Sequence, residues 1–90
     1  MKRVMSPDAA ETIGLDALGF IAGNVELLSK FLFKSGLEPA VLREQADNPA
    51  TLRAALDFLL ADDAPLMEFC RSQRLDPRDI HVASQILGET

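Results

Sequence analysis

Apolar residues recur along this chain at helical spacing, and no segment sustains a two-residue alternation. Plotted at 100° per residue, Ala17, Leu18, Phe20 and Ile21 share one face, and Leu28, Phe31 and Leu32 share another. Both faces return later, as Ala55, Leu56, Phe58 and Leu59, and as Leu66, Phe69 and Cys70. Residues 17–46 can be set over residues 55–84 without a gap. Ala17/Ala55, Leu18/Leu56, Phe20/Phe58, Leu28/Leu66, Phe31/Phe69, Leu37/Leu75 and Pro39/Pro77 are then identical. Composition alone gives roughly two or three matches over such a length. Ile21/Leu59, Asn24/Asp62, Glu38/Asp76 and Leu42/Ile80 are conservative pairs.

The polar positions between these faces read as helix starts and stops. A first helix ends near Gly23 and again near Ala61. Asn24 and Asp62 then cap the free N–H groups of second helices expected over 25–35 and 63–73. Gly36 suits a left-handed stop, and Arg74 at the matching place suits it less well. "LEP" at 37–39 and "LDP" at 75–77 put proline at the first helical position, which makes Glu38 and Asp76 the caps. Leu37 and Leu75 can staple onto Leu42 and Ile80, and Asp79 completes a capping box in the second copy. "SP" at Ser6–Pro7 and "NP" at Asn48–Pro49 mark two further starts. The expectation is an all-α fold, a compact six-helix bundle built from two pseudo-equivalent three-helix repeats of about 38 residues. Residues 1–90 form a single domain, with repeat one at about 11–46, repeat two at about 49–87, and a flexible stretch at 1–6. Open solenoids usually need three or more copies, so two copies point to a closed bundle.

Charge narrows the partners. A formal net charge of −5 disfavours nucleic acid and anionic lipid, which both need a basic face. One cysteine cannot form an intrachain disulfide and fits a reducing compartment. The N-terminal "MKRVMSPDAAE" lacks the apolar run of a signal peptide, and no stretch reaches the roughly 18–20 apolar residues of a membrane span. A cytoplasmic protein with no membrane partner is expected.

Candidate chemistry is sparse, and the second copy serves as an internal control. Cys70 matches Leu32 on an apolar face, so packing explains it better than nucleophilic or redox chemistry. His81 matches Arg43, and a lone histidine without further ligands makes no zinc site. Asp62–Asp63 resembles an acid pair, but Asp62 stands where Asn24 caps, and calcium-loop spacing is absent. Arg71, Arg74 and Arg78 form a weak basic patch, diluted by Asp76 and Asp79. Glu26 and Lys30 have the spacing of an i,i+4 pair. Gly14 and Gly19 fall mid-helix, where a close helix approach or a kink would account for them. No catalytic, cofactor-binding or metal-binding residue is assigned, no cofactor is expected, and no enzyme is expected.

The copies diverge in one informative way. Phe33 lies nearly opposite the apolar stripe of its helix, and its counterpart is Arg71. Leu15 sits off the face of the first helix, and its counterpart is Arg53. An aromatic placed off the core stripe is the kind of residue that contacts a partner. The alternative is that an N-terminal segment with Val4 and Met5 folds over and buries both. Phe33 and Leu15 are the candidate interaction surface.

"ALGF", "FKSGL.P", "LDFLLADD" and "LDP", spread over about 65 residues, resemble a bacterial family known as domain of unknown function 3572. These are apolar and capping residues, and the resemblance implies no activity, cofactor or site residue. The function expected is protein–protein interaction, with another protein or with itself as a homodimer. A nucleic-acid-binding or regulatory helix–turn–helix role is the alternative, followed by a small-ligand binder or enzyme.

Overall fold

A computed structural model describes residues 5–89, and its elements are all helical: α1 (Pro7–Ala22), α2 (Val25–Ser35), α3 (Pro39–Glu44), α4 (Pro49–Leu60), α5 (Asp63–Gln73) and α6 (Pro77–Gly88). Most of the expected flexible stretch, residues 1–4, lies outside the described residues. Of the remainder, Met5 packs against the core, and the Ser6 hydroxyl accepts from the Ala9 N–H at 3.1 Å to cap α1.

The punctuation works through local hydrogen bonds. Asn24 Oδ1 accepts from the N–H groups of Glu26 and Leu27 at 3.0 and 3.1 Å, and Asp62 Oδ1 accepts from Ala64 at 3.4 Å. Asp76 and Asp79 form the full capping box: the Asp76 side chain accepts from the Asp79 N–H, and Asp79 Oδ2 accepts from Asp76 N–H at 3.0 Å, while Asp76 Oδ1 also accepts from Arg78 N–H at 2.8 Å. Glu38 departs from expectation. It occupies the cap position with extended dihedrals, yet its side chain makes no cap hydrogen bond. The residues favoured at this position are the short Ser, Thr, Asn and Asp; the extra methylene of Glu does not present its carboxylate to the same amides. Gly36 and Arg74 both leave their helices in the left-handed region, at φ 72° and 56°. Leu75 N–H then returns to the Cys70 carbonyl at 2.8 Å.

The centre of the molecule is the packing of α1, α4 and α6 on one another, with α2 beside α1 and α4, and α5 beside α4 and α6. Ala10, Ala17, Ile21, Leu52, Ala55, Leu56, Leu59, Phe69, Ile80 and Ala83 are fully enclosed there. A Cβ built on Gly14 would fall 2.8 Å from Leu52 Cβ, so α1 and α4 cross in close contact at this point. Gly19 has no neighbour within 4 Å of such a Cβ, and close approach does not account for it.

Two aromatic pairs join the halves of the chain. Phe20 of α1 meets Phe69 of α5 with ring centroids 5.4 Å apart, and Phe31 of α2 meets Phe58 of α4 at 5.5 Å. A 38-residue shift turns one pair into the other with the halves exchanged. The third helices do not follow this exchange. α6 runs for 12 residues and packs on α1 and α4, whereas α3 has 6 residues and makes only marginal contact with the other helices.

Candidate functional site

The shortness of α3 leaves an opening. Between α1, α2 and α3 lies a groove of about 300 Å³, lined by Leu18, Ala22, Leu28, Leu32, Pro39, Leu42, Arg43 and Ala46. Its lining is apolar apart from the Arg43 side chain. Leu28 and Leu32 belong to the stripe that the sequence assigns to the core. They are only half-buried because the helix that would cover them ends at Glu44. Around α2, the apolar surface continues out of this groove. Leu28, Leu32, Val25, Ser29 and Phe33 follow one another at steps of about 20–40° when α2 is viewed down its axis. Val25 is 82% exposed and Phe33 88% exposed, the two most exposed large apolar side chains among the described residues. No described segment covers Phe33; of the N-terminal segment expected to fold over it and Leu15, Val4 lies outside the described residues and Met5 packs against the core.

Leu15, on α1, is 43% exposed. It lines neither this groove nor the shallower one between α2 and α4 formed by Phe31, Lys34, Ser35, Ala54, Asp57, Phe58 and Ala61. In that second groove Lys34 Nζ lies 5.7 Å from the centroid of the Phe58 ring. Val25 was missed from sequence, although its place between Leu32 and Ser29 on the helical wheel could have found it. The expected Glu26–Lys30 pair does not form; the ion pairs among the described residues join Arg53 to Asp57 and Arg78 to Asp76. Both Glu26 and Lys30 extend into solvent.

The basic patch is thinner than its residue count. Arg78 donates from Nε and Nη2 to the two carboxylate oxygens of Asp76, each at 3.3 Å. That hydrogen bond, with the charge of Asp76, pushes Arg78 further up from its ordinary range and occupies its guanidinium. Arg71 and Arg74 remain exposed on α5 and its cap.

The chemical candidates resolve into structure. Cys70 is 2% exposed. Burial pushes its thiol up, and the charges of Asp76 and Asp79 add to the shift, the opposite of an activated nucleophile. His81 is exposed, and no cluster of three or more metal-ligating side chains occurs among the described residues. Asp57 Oδ1 accepts from the buried Ser84 hydroxyl at 2.6 Å while Arg53 Nε lies 3.7 Å from Oδ2, a clasp between α4 and α6. No single described helix is long and apolar enough to cross a membrane; α1 and α2 together would be, but they meet at 114°.

The model of a family described as "Protein of unknown function (DUF3572)" matches residues 7–90. No curated protein and no solved structure matches the chain.

Proposed function

Because this chain belongs to the DUF3572 family, whose description assigns no activity, we propose from its own surface that it is a non-enzymatic, cytoplasmic protein acting through protein–protein contact along α2. The observation that carries this reading is Phe33, an aromatic left 88% exposed beside an apolar groove. Folding gains nothing from a phenyl ring in water, whereas an interface gains from a large rigid side chain near its centre. The groove supplies the second element, since helix-in-groove recognition lays apolar anchors into a slot of this kind. Contact rather than catalysis is supported by the buried, proton-retaining thiol of Cys70. Contact with protein rather than nucleic acid is supported by the net charge of −5 and by the engagement of Arg78 with Asp76.

The test is Phe33→Glu. The variant is expected to keep the helical circular dichroism of the parent, because the ring takes no part in the core. It is expected to lose capture of the binding partner by the immobilised protein, or self-association where the partner is a second copy. Association that is unchanged in the variant sinks the reading.

A further inference from the structure

The exposed strip of α2 is self-complementary, and we infer that its occupant is a second copy of this chain, docked antiparallel along α2 with Ser29 at the two-fold axis. The inference rests on the reading of α2 as an interaction surface and names its partner. Val25, Ser29 and Phe33 lie at i, i+4 and i+8 on one exposed face, with the small side chain between the two large ones. An antiparallel two-fold pairing sends each residue to the position equally distant on the other side of the axis, as isologous interfaces require. Val25 of one copy then meets Phe33 of the other, twice, and the two Ser29 residues face each other where the helices approach most closely.

The flanks agree with this pairing. On one side of the strip stand Glu26 and Lys30, both exposed and not paired with each other. A two-fold operation of this kind keeps that side of one helix beside the same side of the other. Glu26 is thereby brought near Lys30 of the second copy, and Lys30 near its Glu26. Opposite charges meet, which a chain with a net charge of −5 needs in order to approach its own copy. On the other side, Leu28 and Leu32 carry the apolar surface on into the groove. The 11 residues of α2 make a strip about 16 Å long. One helix of contact falls below the roughly 800 Å² per partner of a standard interface, so the dimer dissociates readily and forms with rising concentration.

Sedimentation of the full chain up to about 1 mM reads the equilibrium directly. The average mass is expected to rise from 9.8 kDa toward twice that value. Glu26→Lys and Lys30→Glu, taken singly, are each expected to weaken association about tenfold, because each places like charges together at two symmetric points. The double exchange restores it. Ser29→Cys is expected to form a disulfide-linked dimer under mild oxidation, while the parent, whose Cys70 is buried, does not. A chain that stays at 9.8 kDa throughout overturns the inference, as does association indifferent to both charge reversals or a Ser29→Cys variant that fails to cross-link. A monomer that still captures a different protein in a Phe33-dependent way removes the second copy and leaves the interaction surface standing. Loss of both removes the surface as well.

Discussion

Replacing Gly14 and Gly19 by alanine, one at a time, applies the same chemical change twice to one helix and should give opposite results. In an exposed helix interior Gly→Ala gains about 1 kcal/mol, because alanine restricts the unfolded chain and shields the backbone. Gly19 receives that gain undiminished, since a Cβ there meets nothing within 4 Å. Gly14 does not. Its new Cβ would stand 2.8 Å from Leu52 Cβ and 3.3 Å from Leu87 Cδ1. Carbon atoms in contact prefer about 3.5–4.0 Å, and Leu52 Cβ is fixed to the backbone of α4, so the helices themselves must part. Overpacking of this kind costs about 1–3 kcal/mol. Taking the middle of that range against the propensity gain leaves Gly14→Ala about 1 kcal/mol less stable than the parent. For a domain of this size 1 kcal/mol corresponds to a shift in Tm of about 4–8 °C. Thermal melts followed by circular dichroism should therefore move up for Gly19→Ala and down for Gly14→Ala. The double variant should return close to the parent, because the two sites have no shared neighbours. A Gly14→Ala variant as stable as Gly19→Ala would refute the account of the α1–α4 crossing.

Two further outcomes follow from local geometry. Asp76→Ala removes the capping box and should cost about 1–2 kcal/mol in denaturant unfolding, whereas Glu38→Ala, which removes no cap bond, should stay within about 0.5 kcal/mol of the parent. The Cys70 thiol is pushed above its ordinary value of 9.0, so as pH rises the unfolded chain loses its proton first. Its stabilising contribution is complete below that value and is lost as pH climbs through the folded one. Melting temperature should thus fall more steeply above about pH 9 for the parent than for Cys70→Ala, and parallel curves would contradict this.

Helix boundaries were legible in the sequence because their determinants are local. Asn24 and Asp62 accept from amides a few residues away, Pro39 and Pro77 fix their own backbone angle, and α2, α5, α3 and α6 begin where those residues mark. Phe33 was legible for the same reason: its angle on α2 depends only on the period of the helix. What was not legible is how far one helix covers another. Leu28 and Leu32 satisfy every sequence criterion for a core position. They line an open groove because α3 stops after 6 residues and α6, its counterpart, runs on to 12 and takes the central place. Side-chain choices between near-equal partners were equally hidden. Arg78 turns to Asp76 and leaves the basic patch, while Glu26 and Lys30, correctly spaced, stay apart.

The exchanged ring pairs have a consequence for how the chain acquires its structure. Phe20 and Phe31 belong to the first half, and each finds its ring partner, Phe69 or Phe58, only in the second. Neither half can therefore assemble its aromatic packing while the other is absent. Helices flicker early, but the step that fixes them must bring distant parts of the chain together and meet the loop-closure entropy first. The molecule is thus an obligate co-folding pair written on one strand. Cleavage of the turn before Asn48 would leave two pieces that are each incomplete and that recover their fold only in each other's company.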